Sequence, residues 1–429
     1  MTKQERKAIP LSPFEEYMAR DEKPEYPMTG QIYGDFEGHV NHAVFEEALR
    51  LLVAKEPLLN RTIVRRWRRF YWQEIDAPPL MIQWEKGSSV GADDDREGSC
   101  PLCKLDISRE PGYKLIIQEG PESFRLIFAM HHTCGDGVSM GRFLGSLFSI
   151  YEALREGREP DAKDFPEPEL VQERENLHLP PLPPVPFFTG LFSFLRAVAH
   201  WLFSRPTPLR LPIACEFPRQ QWHICNVEAT EALKERGRRY EVSPNTMVLC
   251  DTFYKINEYF LKVRKKRRGT IRILIPVNFR NEYHDRFPST NLLGYVFIDR
   301  PIGFQTGEKE LAQQIQKAIN YSKERQTAML FTKGICLFRP IPGALRLLTS
   351  RLFCHATCVV SNVGVYSKVF SQERYRNVGT IETVDCRLVR FYGGPPLRVH
   401  TDVCIGLITH LRELTVTVTD RSGWTFPAQ

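Results

Sequence analysis

The pattern of apolar and polar residues along the chain predicts helices and strands in both halves. In residues 42–55, apolar positions recur every three or four residues, which predicts an amphipathic helix. Residues 124–130, FRLIFAM, are nearly all apolar, as in a strand that is buried on both faces. A long helix is predicted from residue 138 to residue 156, so a short connection joins that strand to this helix.

The other segments show the same mixture of short strands and helices. Ser12-Pro13 and Ser243-Pro244 are typical of helix starts, because serine caps the first turn and proline fits its first position. Further predicted elements are strands at 31–36, 62–75 and 114–118, a helix at 307–326, and the strands IRILIPV, LLGYVFID, ATCVVSN, GTIETVDC, VCIGLITH and ELTVTVTD. The pattern therefore predicts an α/β fold with mixed sheets in two domains, and it leaves the topology open.

A change in composition separates the two halves. Residues 166–212 are rich in proline, including the run PPLPPVP at 180–186. Proline removes backbone donors and is excluded from helix interiors, so this stretch is predicted to be an extended crossover. The expected units are an N-terminal lobe at 1–165, the crossover at 166–212 and a C-terminal lobe at 213–429.

Composition excludes several classes of protein. The chain has 429 residues, of which 42% are hydrophobic and 25% charged, so disorder, collagen and coiled coil are excluded. Its length is enough for two or three domains. The N-terminus lacks the apolar stretch of a signal peptide, and no run of about 18 apolar residues occurs. We therefore expect a soluble, cytoplasmic protein.

Cysteine usage gives no sign of a metal or redox centre. The eleven cysteines are scattered, and the one CxxC pair, Cys100 and Cys103, has no second pair at zinc-ligand spacing. Reduced and mostly buried thiols are the expected state. No metal or bound cofactor is expected.

The segment HHTCGDG, residues 131–137, carries the clearest chemistry. It lies where the buried strand gives way to the long helix, so its side chains would be exposed on a rigid support. An imidazole titrates near neutral pH and can take a proton from a hydroxyl or an amine that attacks a carbonyl. His131 and His132 should point to opposite sides, and Gly135 and Gly137 allow backbone angles and close approach that other residues resist.

Each part of this segment also has a purely structural interpretation. A histidine pair at a strand end is often only a hydrogen-bonded feature, and Asp-Gly is common in turns. The full pattern HHxxxDG, however, should arise by chance on the order of once in a thousand chains of this length. The combination therefore favours a functional site.

HHTCGDG resembles the HHxxxDG motif of the condensation-domain branch of the chloramphenicol acetyltransferase-like acyltransferase superfamily. That branch includes condensation domains of nonribosomal peptide synthetases, polyketide-associated acyltransferases, wax ester synthases and alcohol acetyltransferases. Other segments resemble the family in the same order along the chain: LSPFEEYM, FEEALRLLVAKEPLLNRTIV, IPVNFR, NLLGYVFI and VSNVG. The chain lacks the DFGWG-like segment of the plant acyltransferases, and this absence argues against a plant-type reaction.

The resemblance implies a fold and a reaction. It implies two chloramphenicol acetyltransferase-like lobes that form a pseudo-dimer with a central tunnel, where an acyl donor and an acceptor enter from opposite sides. His132 would be the general base, with His131, Asp136 and Gly137 as further motif residues. The co-substrate would be acyl-CoA or a phosphopantetheine thioester on an acyl carrier protein, and the acceptor a small molecule or a lipid. No covalent intermediate is needed, so Cys134 is not required as a nucleophile.

The resemblance also implies roles outside the motif. Asp136 would hold the loop through an ion pair with Arg280 of IPVNFR, and the alternative is that Arg280 is a solvated residue at a strand end. Ser361 and Asn362 of VSNVG would donate hydrogen bonds near the developing oxyanion or the substrate. The alternative is that Ser-Asn before glycine is ordinary turn chemistry.

Two kinds of surface bear on substrates and partners. The balance of 58 basic and 51 acidic residues gives a net charge of +7, and basic residues cluster at 65–69 and in KVRKKRRGT at 262–270. These clusters are either solvated charge or contacts for a phosphate-bearing donor, and no nucleic-acid motif accompanies them. The segment from Phe187 to Phe203 has a narrow polar stripe and a broad apolar face, so it would pack on a lobe, cover a lipid chain or lie on a membrane surface.

Three functions remain open from the sequence. The first is a free-standing acyltransferase that makes an ester or an amide, in natural-product or lipid biosynthesis. The second is a trans-acting condensation enzyme that joins two carrier-bound substrates through an amide. The third is a non-catalytic homologue that binds a carrier protein, and the intact motif argues against it.

Overall fold

The computed structural model describes residues 8–67, 69–87, 96–176, 195 and 204–424. The helices of this part of the chain include α1 (Pro13–Asp21), α2 (His42–Val53), α3 (Gly137–Arg155), α4 (Val227–Arg239), α5 (Pro244–Lys262), α6 (Glu308–Glu324), α7 (Leu330–Phe338), α8 (Ala344–Leu348) and α9 (Glu373–Val378). The strands include β1 (Ile9–Pro10), β2 (Thr29–Gly38), β3 (Arg61–Arg66), β4 (Arg69–Glu74), β5 (Ile82–Lys86), β6 (Glu97–Pro101), β7 (Tyr113–Glu119), β8 (Ser123–His131), β9 (Arg219–Ile224), β10 (Thr270–Asn278), β11 (Leu293–Pro301), β12 (Cys358–Val365), β13 (Cys386–Gly394), β14 (Val403–His410) and β15 (Glu413–Asp420).

The first lobe is built on a five-stranded sheet in the order β13-β2-β8-β7-β5. Strand β8 occupies the centre, and all but one of its nine residues are buried, as its apolar sequence predicts. Helices α2 and α3 pack on this sheet. Phe36 of β2 stacks on Phe124 of β8 and on Phe148 of α3, with ring centroids 4.7 Å apart in both pairs. These ring contacts hold β2, β8 and α3 together.

The second lobe is built on a seven-stranded sheet in the order β11-β10-β12-β14-β15-β9-β6. Helices α5 and α6 supply its core on one face, where Phe253, Phe260 and Ile315 share an apolar cluster with Ile273 of β10. A smaller three-stranded sheet, β1-β4-β3, lies beside the first lobe. The α/β class with mixed sheets is confirmed.

The two lobes exchange strands. Strand β6, from the first half of the chain, pairs antiparallel with β9 at the edge of the seven-stranded sheet. Strand β13, from the last fifty residues, pairs antiparallel with β2 in the five-stranded sheet. At the crossing, a Cβ on Gly406 of β14 would lie 2.4 Å from the carbonyl oxygen of Gly393 of β13. The division into lobes at residues 165 and 213 stays a prediction. Each of these two strands belongs by sequence to one predicted lobe and pairs in the main sheet of the other.

Most predicted elements are confirmed, one is divided and one is wrong. The predicted strand region 62–75 forms two antiparallel strands, β3 and β4, with Trp67 between them at φ +56°. Ser12 caps α1 through a full capping box with Glu15, and Ser243 caps α5. GTIETVDC is not a strand: Gly379 ends α9 in the left-handed region with φ +89°, and the strand β13 begins only at Cys386. The β-branched residues that suggested a strand belong to the turn before it.

Three further predictions concern the apolar segment of the crossover, membrane-spanning helices and the cysteines. The segment from Phe187 to Phe203 lies outside the described residues, apart from Leu195. Among the helices that the structure describes, none is long and apolar enough to cross a membrane. All eleven cysteines are described, and all are free thiols.

Candidate functional site

The HHTCGDG segment forms the tight connection between β8 and α3. Strand β8 ends at His131, and α3 begins at Gly137 with Asp136 as its N-cap. The backbone N–H of His132 donates to the carbonyl oxygen of Met28 at 2.7 Å, which ties the connection to the neighbouring chain segment. The motif therefore lies at the junction of the central strand and the long helix of the first lobe.

His132 is held by an asparagine from the other half of the chain. Its Nδ1 lies 3.1 Å from Oδ1 of Asn291. The amide of Asn291 is oriented by its own Nδ2, which donates to the carbonyl oxygen of His132 at 2.7 Å. An amide oxygen can only accept, so Nδ1 of His132 must carry the proton in this contact.

This contact fixes the tautomer of His132. With the proton on Nδ1, the lone pair of the neutral ring is on Nε2, which is the form that can accept a proton. Burial lowers the pKa of His132 below its ordinary value, and the charge of Asp136 only partly opposes that effect. The imidazole is therefore neutral near pH 7, with its basic nitrogen unprotonated.

His131 points the other way and is fully buried. Its Nδ1 accepts a hydrogen bond from the backbone N–H of Thr133 at 3.2 Å. Its Nε2 must then carry the proton, and it faces Oε2 of Glu22 at 3.4 Å. The two histidines thus lie on opposite sides, as alternation along a strand predicts, and His131 holds the loop.

Asp136 forms a buried ion pair with Arg280 at 2.8 Å, and both side chains are about 5% exposed. One oxygen caps α3 by accepting from the backbone N–H groups of Val138 and Ser139, each at 3.1 Å. The other accepts from Arg280 and from the backbone N–H of Leu292. Burial alone would raise the pKa of Asp136, but Arg280 and these donors hold it below its ordinary value.

The same ion pair joins α3 to the loop that carries Asn291. A second nitrogen of Arg280 donates to Oγ of Ser139 at 2.8 Å and to the carbonyl oxygen of Thr290 at 2.7 Å. Ser139 Oγ in turn donates to that carbonyl oxygen at 2.7 Å. Arg280 is therefore not a solvated strand-end residue but a link between the two halves of the chain.

Neither motif glycine is needed for an unusual backbone angle, and Gly135 alone of the two lies in a tight space. Neither Gly135 nor Gly137 has a positive φ. A Cβ on Gly135 would lie 3.0 Å from Met130 Sδ, and one on Gly137 would lie 3.4 Å from a methyl group of Val363. The expectation of special backbone angles is therefore wrong. That of close approach is confirmed at Gly135, whereas the 3.4 Å at Gly137 is an ordinary contact distance.

The contact with Val363 brings strand β12 beside the motif. Val363 follows Ser361 and Asn362, and it packs against the core of the first lobe. Oδ1 of Asn362 accepts from the backbone N–H of Gly364 at 2.7 Å, within a bulge of β12 against β14. Ser361 is partly exposed and Asn362 is exposed.

Cys134 does not have the environment of a nucleophile. Its thiol is fully buried, and burial raises its pKa well above the ordinary value.

A cavity of about 20 Å³ lies behind α3, large enough for a water molecule, with Arg142, Arg280 and Ser289 among its lining residues. Glu56 also lines it, and its Oε2 accepts from the backbone N–H of Ser289 at 2.7 Å.

Sequence reasoning missed Asn291 and Glu56 as individual residues. Asn291 is the first residue of NLLGYVFI, a segment that resembles the family, but no periodicity singles it out. Burial raises the pKa of Glu56 to about 8, which no local pattern could indicate. A buried glutamate within an apolar stretch, EPLLNRTIV, is the only sequence signal for it. In the described part of the chain, no three His, Cys, Asp or Glu side chains are grouped as metal ligands.

Comparison with known proteins supports the same fold. A family model described as "Condensation domain" matches residues 18–171. One of the linear gramicidin synthase proteins of Brevibacillus parabrevis is 28% identical over an alignment of 141 residues that covers 30% of this chain and 2% of that protein. The chain spans only 2% to 4% of the length of the curated relatives that it matches.

Solved structures match almost the whole chain. Polyketide synthase associated protein 5 from Mycobacterium tuberculosis superposes with a TM-score of 0.60 at 16% identity, over 96% of this chain and 93% of that one. A mutant starter condensation domain of rhizomide synthetase RzmA, in complex with C8-CoA, gives 0.64 at 14% identity, over 97% and 90%. The resemblance to condensation domains and the fold of two chloramphenicol acetyltransferase-like lobes are thus confirmed.

Proposed function

We propose that this chain transfers an acyl group from a thioester to a hydroxyl or an amine, with His132 as the general base. The observation that carries the proposal is the hydrogen bond from Nδ1 of His132 to Asn291 at 3.1 Å. It leaves the lone pair of Nε2 available in a ring that is neutral near pH 7. Such a base typically contributes about 10²–10⁴-fold to the rate.

In the proposed reaction, Nε2 of His132 takes the proton of the acceptor as its oxygen or nitrogen attacks the thioester carbonyl. The tetrahedral intermediate then collapses, the C–S bond breaks, and the protonated Nε2 returns the proton to the leaving thiolate. The imidazolium is transient, and Nδ1–H keeps its bond to Asn291 throughout. No covalent bond to the protein forms, in agreement with the buried, un-ionised thiol of Cys134.

Strand β12 is proposed to supply the oxyanion donors. Asn362 uses Oδ1 to accept from the backbone N–H of Gly364, so its Nδ2 remains available to donate. Ser361 precedes it on the same strand, and Val363 touches the Gly137 side of the motif. A well-aimed donor at the developing charge is worth about 3 kcal/mol.

Chemistry and the relatives support the proposed donor class. The structural neighbour RzmA was solved with C8-CoA, an acyl thioester. The matching curated proteins are peptide synthetases or a hybrid synthetase, which favours an amide-forming condensation with a carrier-bound donor as the second candidate. A tunnel between the lobes, acyl-CoA or acyl carrier protein as donor, and a small-molecule or lipid acceptor remain parts of this proposal, as does a cytoplasmic site of action.

The test is an assay of thiol release and product mass with acyl-CoA and acyl-carrier thioesters against alcohols and amines. His132→Ala should lower the rate by about 10²–10⁴-fold while leaving thermal unfolding unchanged. The matched control is His223→Ala on β9, where the ring contacts exposed Glu97. Full activity in His132→Ala would overturn the mechanism, and thioester-independent product would overturn the donor class.

A further inference from the structure

Strand β11 begins two residues after Asn291 and has two different faces. Val296 is buried in the apolar core that α5 and α6 supply. Leu293, Tyr295 and Phe297 point to the opposite face and are only partly buried, in keeping with the alternation of side chains along a strand. This second face is therefore partly open, and it begins beside the residue that holds the ring of the proposed general base.

Tyr295 lies at the middle of this face, close to the HHTCGDG connection. The centroid of its ring is 5.8 Å from that of Phe14 on α1 and 5.2 Å from that of Phe331 on α7. It also packs against the apolar cluster that contains Met28. The carbonyl oxygen of Met28 accepts from the backbone N–H of His132, so Tyr295 and the motif border the same cluster.

The hydroxyl of Tyr295 is a hydrogen-bond donor that the described part of the protein does not use. Burial raises the pKa of Tyr295 well above its ordinary value, and the charges of Asp21 and Asp136 are smaller causes in the same direction. The carboxylate of Asp21 is bound by Arg398, which donates to both of its oxygens at 2.7 and 2.8 Å. No described group bonds to the hydroxyl of Tyr295, yet unlike that of Tyr366 it is not sealed from solvent. It is therefore protonated at neutral pH and available to a bound molecule.

The same face of the sheet carries a residue that is proposed to bind the oxyanion. Tyr295 pairs with Pro276 on β10. Two residues earlier on β10, Leu274 pairs with Val359 on the parallel strand β12, and Ser361 follows Val359 by two residues. Ser361, Pro276 and Tyr295 therefore lie in one row across three strands. Strands in a sheet lie about 4.8 Å apart, so a substrate whose carbonyl lies at Ser361 can reach Tyr295 with a group about 10 Å away.

We propose that Tyr295 selects between substrates by donating a hydrogen bond to an accepting oxygen or nitrogen on an otherwise apolar group. This role rests on the proposed acyl transfer, and it makes Tyr295 a specificity-determining residue. The ring of Tyr295 is flanked by those of Phe297 and Phe331, so a second polar atom on the substrate would lose its water without gaining a partner there. A single donor in such a wall favours apolar or aromatic groups with one accepting atom, on either the acyl donor or the receiving substrate.

Tyr295→Phe tests this role because it removes only the hydroxyl. Since the hydroxyl has no partner in the described chain, thermal unfolding should occur at the same temperature as in the wild type. The matched control is Tyr254→Phe on α5, whose hydroxyl donates to the carbonyl oxygen of Thr306 at 2.7 Å. The control should unfold at a lower temperature, because a used hydrogen bond is lost, and keep the kcat/KM of the wild type for every substrate.

The kinetic measurement compares substrates that differ by one accepting atom. One series consists of alkanoyl-CoA thioesters in which each methylene is replaced in turn by an ether oxygen, and the other of alkyl alcohols and amines changed in the same way. Tyr295→Phe should lower kcat/KM about tenfold for the analogue whose oxygen meets the hydroxyl, and leave the unsubstituted chains within about twofold. A loss in the thioester series identifies the acyl donor as the bound group, and a loss in the other series identifies the receiving substrate.

Two results would overturn the role of Tyr295 while leaving acyl transfer intact. The first is the same selectivity in Tyr295→Phe and the wild type across both series, or an equal loss for every substrate. The second is a fall in unfolding temperature as large as that of Tyr254→Phe, which would show that the hydroxyl serves the fold. Absence of transfer by the wild type with every pair of substrates would instead refute the proposed function itself.

Discussion

At the scale of single residues, the chemistry of the site depends on how the ring of His132 is held. A neutral imidazole has two tautomers, and only one leaves Nε2 free to act as a base. The amide of Asn291 selects that tautomer through Oδ1, and its Nδ2 bonds to the carbonyl oxygens of His132 and Thr133 prevent the amide from turning. Asn291 is thus a positioning residue that acts through His132.

Replacing Asn291 tests this role. Asn291→Ala should lower kcat by about 100-fold with little change in KM, because the ring is no longer held in the basic tautomer. Asn291→Asp should place a negative charge at Nδ1 and raise the pKa of His132. Activity needs the neutral ring, so the acid limb of the pH–rate profile should move to higher pH in that variant.

The control for this prediction is Asn226→Ala at the N-cap of α4, which should cost about 1 kcal/mol of stability without moving the pH–rate profile. Nuclear magnetic resonance of the labelled ring would report the tautomer directly. A wild-type ring protonated on Nε2, or an unmoved profile in Asn291→Asp, would contradict the assignment.

At the scale of elements, the start of α3 is fixed by charge as well as by packing. Asp136 caps the helix and also pairs with Arg280, so one carboxylate joins β8, α3 and the loop that carries Asn291. A carboxyl whose pKa is lowered on folding stabilises the native state above its unfolded pKa of about 3.9. That stabilisation is lost as the pH falls through the lower, folded value.

We expect Asp136→Ala to destabilise the protein by about 3–5 kcal/mol, because it leaves the buried guanidinium of Arg280 without a counter-charge. Thioester turnover should also fall, because the loop that Asp136 and Arg280 join to α3 carries Asn291. Urea unfolding followed by circular dichroism measures the first effect, and thioester turnover the second.

The matched control is Glu156→Ala at the other end of α3, where the ion pair with Arg158 is exposed. It should cost less than about 1 kcal/mol. If Asp136→Ala cost no more than this control, the ion pair would not be what secures the helix start.

At the scale of the whole molecule, the two halves are joined by exchanged strands and by buried polar contacts. Glu56 follows α2 in the first half, and its carboxyl oxygen Oε2 accepts from the backbone N–H of Ser289 in the second half. Burial raises its pKa to about 8. The folded protein therefore keeps a proton that the unfolded chain releases above about pH 4.3.

This proton makes the stability of the wild type depend on pH. The free energy of unfolding should fall as pH rises from about 4.3 towards 8, since the native state binds more protons there. Glu56→Gln keeps an oxygen that accepts from Ser289 but cannot ionise, so its stability should exceed that of the wild type by a few kcal/mol near pH 8.

Urea unfolding at about pH 5 and about pH 8 provides the measurement. The control is Glu282→Gln, an exposed glutamate in the loop that also carries Ser289, which should leave the pH dependence as it is in the wild type. Parallel curves for the wild type and Glu56→Gln would contradict the prediction.

The sequence by itself determined the local features of this protein. The apolar run of β8 and the helical spacing of α3 predict where the HHTCGDG connection lies, and serine caps predict the starts of α1 and α5. These features depend on residues within one turn or one strand of each other. The motif then indicates the fold and the reaction class through resemblance.

Only the tertiary structure decided which distant residues meet. Asn291 lies 159 residues beyond His132, and β6 and β13 each pair with a strand of the other lobe. Periodicity reports which face of an element is buried, but the partner that buries it depends on long-range packing.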